Sequence, residues 1–381
     1  MFRFLLLNFF FQIIVATISP YTQILLRNKG YSHFLVGLIV AIGQLGSIVM
    51  PLAISSLADR TRKTKLIFLV LTVICVAFFF PAALSGSLLV TVLSYFVVCG
   101  SYLSISPLID GYQTRLLKGD AEKYGFARSA GTMGYVIALA LFSLTRFPDE
   151  SDNMSIATCL AVFSAVFMIM VFIIPDDLPP DRSRRRRRSI SGLFSSRFYI
   201  LMIIVGLTRM AHAVPDRLLS SYMVENLGLG GNFALFVSLG ALSEFVMMIL
   251  GGVLLEKKKT TPYTLVVIAC IAIAVRLAIY RLFPTIPGLI CAQLLHSLTF
   301  GSFHIAVTHF ISQNVRKEHY SVAMSFYWAI ATNLPGMLGA LLGGFAIDSL
   351  GFNHLFSLFT LFPLAALFIA FSCRDVLKGK V

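Results

Sequence analysis

A backbone in hydrocarbon must pair all its polar groups internally, so a chain that crosses a bilayer repeatedly is confined to helices or to a closed barrel. In this sequence of 381 residues, apolar stretches of about 20 residues or more recur twelve times. They fall at roughly 4–26, 34–57, 65–84, 88–111, 127–146, 155–174, 198–223, 233–255, 262–283, 287–312, 321–347 and 353–373. A tilted barrel strand needs only about 9–11 residues, so this length selects helices. The chain is 57% hydrophobic and 13% charged, against about 25% charged in soluble domains. The fold class expected is an all-α membrane protein of twelve transmembrane helices. The first stretch is read as helix rather than leader, since it is too long, holds Asn8, Gln12 and Gln23, and lacks a small-residue cleavage pattern.

One long polar segment interrupts the series. Residues 175–197 read PDDLPPDRSRRRRRSISGLFSSR. Five successive arginines, Arg184–Arg188, repel one another, and the flanking prolines and serines disfavour a packed helix. The domains expected are therefore a six-helix bundle over 1–174, a basic connector over 175–197 and a second six-helix bundle over 198–381. Orientation follows from the basic residues. With the N-terminus inside, 24 of the 31 Lys and Arg lie in inside loops, while the outside holds Arg27, Lys29, Arg146 and Arg281. That asymmetry places both termini in the cytoplasm and the chain in the cytoplasmic (inner) membrane. It also accounts for the net charge of +14 without a nucleic-acid partner, because no aromatic interleaving or binding fold surrounds the arginine run. The run suits a solvated connector, and contact with anionic lipid head groups is compatible with that.

Several classes are excluded on motif grounds. No GxxxxGK[ST] loop is present, so the chain alone does not drive transport with a nucleotide. No nucleophile elbow and no Cys/His ligand spacing appears, so neither an enzyme, a metal site nor a cofactor is expected. The six cysteines read as small core residues.

Ionisable residues inside apolar spans are costly and must face protein or water. Asp110 closes the fourth span in Ser106-Pro107-Leu108-Ile109-Asp110, and Arg128 opens the fifth. They can offset each other's desolvation, either as a pair at the cytoplasmic rim or as part of a binding site. In the seventh span Arg209, His212 and Asp216 lie about a turn apart on one stripe, and Pro215 interrupts the hydrogen-bond ladder. A structural charge bridge and a solute contact both fit them. Glu244, Arg276 and His296 stand singly in three consecutive spans, and three such groups are expected to form one network. In the eleventh span Asn333-Leu334-Pro335-Gly336 with Gly339, Gly343 and Gly344 predicts close, pliable packing. His304 and His309 read as structural or interfacial, and Trp328 as an interface anchor.

Six spans, a connector and six spans resemble the major facilitator superfamily. The loop Leu57-Ala58-Asp59-Arg60-Thr61-Arg62-Lys63 is similar to that superfamily's Asp-Arg motif, with the glycine before the basic pair missing. The pattern P-x-x-[DE] followed by YG-x-x-R-x-x-G-x-x-G-aromatic matches Pro107–Asp110 and Tyr124–Tyr135. It resembles the branch holding lactose permease, nucleoside–proton symporters and the 3-phenylpropionate permease. Gln293-Leu294-Leu295-His296 with Thr299-Phe300-Gly301 and His304 resembles the last of these more than it does lactose permease. The resemblance implies two pseudo-symmetric six-helix bundles rocking about a solute site. It implies Asp110, Arg128 and Tyr135 as solute-binding residues, with Asp216 a further contact, and Asp59 with Arg60 as gating residues. Lactose permease has an acid where this chain has Thr299, which carries no charge. The proton-coupling role therefore falls to Glu244, with Arg276 and His296 tuning it. The expected activity is proton-coupled symport of a small polar or amphipathic organic solute, such as an aromatic acid, a sugar or a nucleoside, by a monomer. A proton-coupled efflux antiporter and a non-transporting receptor or scaffold stay open.

Overall fold

The computed structural model describes residues 1–61, 63–117, 121–176, 194–315 and 320–378. Among the described residues every regular element is helical. The arginine run Arg184–Arg188, the anionic-lipid contact expected of it, and the side chain of Asp59 lie outside what is described. Eleven helical runs are long and apolar enough to cross a membrane. The last, Ala323–Ser372, is 50 residues long, about twice a single crossing. It breaks at Gly351, whose φ of +79° and ψ of 169° leave the helical region. Twelve crossings result.

We number them α1 (Phe2–Ile18 continued by Tyr21–Asn28), α2 (His33–Thr61), α3 (Thr64–Leu84), α4 (Leu88–Leu116), α5 (Ala121–Thr145) and α6 (Asn153–Ile173). The second set is α7 (Ser196–Arg217), α8 (Phe233–Glu256), α9 (Pro262–Leu282), α10 (Ile286–Leu294 to Ser302–Asn314), α11 (320–350) and α12 (352–372). Several starts are written in the sequence. The Asp152 carboxylate accepts from the Met154 and Ser155 amides and caps α6. Thr261 caps α9 and Thr285 caps α10, each with a proline in the first turn, where its missing N–H costs nothing.

The described residues divide into two compact units, Met1–Arg187 with Gly230–Ser238, and Arg188–Leu229 with Leu239–Val381. In the first, α1 packs on α5 and α6, α2 on α4, and α3 on α4 and α6. Glycines permit the closest approaches. A Cβ at Gly134 of α5 would overlap the Phe9 backbone carbonyl of α1, and one at Gly46 of α2 the Phe96 carbonyl of α4. In the second unit, α7 packs on the α11–α12 run, and α9 on that run and on α10. There a Cβ at Gly339 would stand 2.5 Å from the Met210 carbonyl oxygen.

Helix α7 continues through Pro215 to Arg217, so the proline does not end it. Two segments within the described crossings are π-helical rather than α-helical, Ser297–Gly301 in α10 and Tyr327–Asn333 in α11. A π segment widens the turn and re-aims its side chains, and such segments recur at functional sites. Both lie in the second unit.

The α1–α5 contact generates a prediction. Gly134→Val drives a branched side chain into backbone, and thermal unfolding of the purified protein should show a loss of about 1–3 kcal/mol. Gly125→Ala, on the same helix with nothing within 4 Å of the added carbon, should not lower the melting temperature.

Candidate functional site

The first unit carries a half-open charge pair. Asp110 near the end of α4 and Arg128 in α5 approach to 3.6 Å, Oδ1 to Nε, with side chains 35% and 38% exposed. The Tyr124 hydroxyl hydrogen-bonds to both. The pair is more exposed than an ion pair sealed in a core. Tyr135 stands two turns further along α5, half-buried. Arg60, in the last turn of α2, is exposed.

The second unit gathers more. Arg276 of α9 is 2% exposed, and every arm of its guanidinium is used. Nε donates to the Tyr280 hydroxyl at 3.1 Å and Nη2 to Gln293 Oε1 at 2.6 Å, while Nη1 lies 2.9 Å from His296 Nδ1. A guanidinium only donates, so His296 Nδ1 accepts and the imidazole proton is assigned to Nε2. That nitrogen faces Glu244 Oε2 of α8 at 3.3 Å. Gly240 makes this approach of α8 possible, since an added Cβ would lie 3.2 Å from Gln293 Oε1. Glu244, Arg276 and His296, solitary in their own spans, thus meet.

Helix α7 brings the other half. His212 Nδ1 lies 2.8 Å from Asp216 Oδ2 and 2.9 Å from Arg209 Nη1. The carboxylate requires a proton on that nitrogen and the guanidinium requires a lone pair. One atom cannot serve both, so the position of the His212 proton is contested. Arg209 Nη2 reaches Asp216 Oδ2 at 3.3 Å. The two imidazoles stack with centroids 5.2 Å apart. Between them stands Thr299, on the π segment of α10. Its Oγ1 is 3.2 Å from His212 Nε2, 3.2 Å from His296 Nδ1 and 2.7 Å from the His296 carbonyl oxygen. A chain of polar contacts therefore runs Asp216–His212–Thr299–His296–Glu244, with the Thr299 hydrogen given to the His296 carbonyl and His296 Nδ1 held by Arg276. With both imidazoles neutral, two guanidiniums balance two carboxylates.

His212, Asp216 and His296 also offer ligand atoms within 4.8 Å of one another. Both Nδ1 atoms face guanidinium groups, and two fixed positive charges beside the trio oppose a divalent cation.

Sequence reasoning missed Thr299 by asking only whether it can be charged; a hydroxyl accepts one proton while giving another. It also missed Gln293 and Tyr280, although their spacings of three from His296 and four from Arg276 put each on the same helix face as its partner. The ring contacts of Phe300, Tyr327 and Trp328 were not read, because the π segments that aim these side chains leave no periodic signal. Trp328, expected as an interface anchor, lies 5.6 Å from the His304 ring and 5.2 Å from Tyr327.

Twelve apolar helices with ionisable groups gathered inside their bundles define a polytopic membrane protein of the secondary-transporter class. The sequence matches the MFS_1 like family over residues 2–358, and the chain belongs to that family. It is 20% identical over 373 residues to the Uncharacterized transporter YwbF of Bacillus subtilis (strain 168), covering 96% of this chain and 90% of that protein. It is 24% identical over 346 residues to the Probable 3-phenylpropionic acid transporter of Escherichia coli (strain K12), covering 85% and 87%. A crystal structure of the nucleoside transporter NupG, in a mutant form, superposes with a TM-score of 0.85 at 15% identity over 97% of this chain and 98% of that one. The D-xylose-proton symporter gives 0.72 at 15% identity over 97% and 96%. At such identities the structures establish the fold. The chain is a membrane transporter and not an enzyme.

The buried guanidinium is testable. Arg276→Leu orphans the Gln293 and His296 acceptors and should destabilise the protein by about 3 kcal/mol in thermal or denaturant unfolding. Adding Gln293→Leu should cost nothing further, because one orphan is removed. Additive losses would show that the two side chains do not depend on each other.

Proposed function

We propose that the chain is a proton-coupled symporter of a small polar or amphipathic organic solute, working by alternating access. The observation that carries this reading is the path Asp216–His212–Thr299–His296–Glu244, flanked by Arg209 and Arg276. Its charges balance, so one added proton is the smallest change that unbalances it. The path offers that proton a carboxylate at each end and imidazoles between. Thr299 passes it on by accepting from His212 Nε2 while its own hydrogen turns from the His296 carbonyl to His296 Nδ1, which releases Arg276 Nη1 as it takes the proton. Glu244 is the titrating group, set by His296 and Arg276.

Asp110, Arg128 and Tyr135 hold the solute from the first unit. Arg128 presents a planar fork suited to a carboxylate, and Asp110 accepts from hydroxyls or an amine. Asp216 is the further solute contact in the second unit. Asp59 and Arg60 serve as the gate. The functional halves are 1–174 and 198–381, joined by the connector 175–197, whose arginines Arg184–Arg188 meet anionic head groups. The protein acts as a monomer in the cytoplasmic (inner) membrane with both termini in the cytoplasm, supported by the 24 inside against four outside basic residues. The names of its relatives fit this reading. One is a probable transporter of 3-phenylpropionic acid, and one structural neighbour is a proton symporter.

Two variants test it in proteoliposomes. Glu244→Gln should abolish accumulation driven by an inward proton gradient while sparing solute exchange; equal loss of both overturns the assignment. Thr299→Val should slow proton-driven uptake by about 100-fold or more, the range of a lost proton-transfer group, and Thr299→Ser should restore it.

A further inference from the structure

Arg209 is 8% exposed and its guanidinium is incompletely used. Nη1 and Nη2 lie against His212 and Asp216, but the buried Nε has no hydrogen-bond partner. A buried charged donor left without an acceptor is unfavourable, and native structures explain such groups by an absent partner. The same guanidinium stands over the Phe300 ring, 5.1 Å from its centroid. Phe300 is the start of a wall. His304 stacks on it at 5.7 Å with an interplanar angle of 6°, Trp328 follows at 5.6 Å and Tyr327 at 6.0 Å from His304. Phe300 belongs to one π segment, Tyr327 and Trp328 to the other. Trp328, at the far end of the wall, is 39% exposed.

We infer that Arg209 with Phe300, His304 and Trp328 forms a subsite for a planar aromatic carboxylate. The carboxylate takes the unused Nε–H, and the ring lies along the aromatic wall. Stacking rewards a flat π face over a saturated ring of equal bulk, and the guanidinium rewards an anion over a neutral analogue. This deepens the symport reading and rests on it, because it names the solute class. It also supplies the coupling. A second carboxylate on Arg209 competes with Asp216 for the same positive charge, so solute binding favours loading of a proton onto the path that Asp216 ends.

Trp328 is the only tryptophan in the chain, so its fluorescence reports on this wall alone. The full-length protein in lipid nanodiscs is titrated at pH 7 with phenylacetate, cyclohexylacetate and 2-phenylethanol. Phenylacetate should change the Trp328 emission saturably, and the other two should bind at least about tenfold more weakly. In equilibrium dialysis, Arg209→Lys and Phe300→Leu should each weaken phenylacetate by about tenfold or more. Phe300→Leu leaves every charge in place, so it remains informative if Arg209→Lys fails to fold. No saturable response in the parent protein, equal affinity for cyclohexylacetate, or unchanged affinity in Phe300→Leu would overturn the subsite. Binding of phenylacetate without any proton-driven uptake by the parent protein would sink the symport reading and leave the subsite standing.

Discussion

Removing an ion from water costs several kcal/mol even after relaxation, and a helix bundle in hydrocarbon has little water to offer. Arg276 and Arg209 stand almost fully buried in the second unit, and much of that unit is arranged around satisfying them. Arg276 needs acceptors on three sides, which places Tyr280 one turn along α9 and brings Gln293 and His296 of α10 to face it. His296, with Nδ1 committed to Arg276, must present Nε2 elsewhere, and Glu244 of α8 receives it. The need to pair one charge therefore fixes the faces of three helices.

Asp216 and Arg209 ask opposite things of His212 Nδ1, so one ring nitrogen is claimed by two partners. The first unit differs in chemistry. Its Asp110–Arg128 pair is longer and more open, with Tyr124 sharing the load.

The crossings were legible in the sequence because hydrocarbon thickness sets a length that composition alone can meet. The break between α11 and α12 was legible too, since Gly351 falls in the gap between two apolar stretches. The identity of the ionisable residues was equally plain, because each stands alone against an apolar background. What could not be read was how they connect. Asp216, Thr299 and Glu244 sit on three helices, and no periodicity relates residues across helices. The π segments at Ser297–Gly301 and Tyr327–Asn333 shift side chains by a fraction of a turn, which is enough to set Thr299 between two imidazoles and Trp328 beside His304.

The central claim is that Glu244, His296, His212 and Asp216 act as one proton-handling unit joined through Thr299. Infrared difference spectroscopy of the reconstituted protein with isotope-labelled histidine, followed across pH, tests it directly. The account predicts that carboxyl and imidazole bands change together at one midpoint, and that Thr299→Val splits them into two. Separate midpoints in the parent protein, unaffected by Thr299→Val, would contradict it.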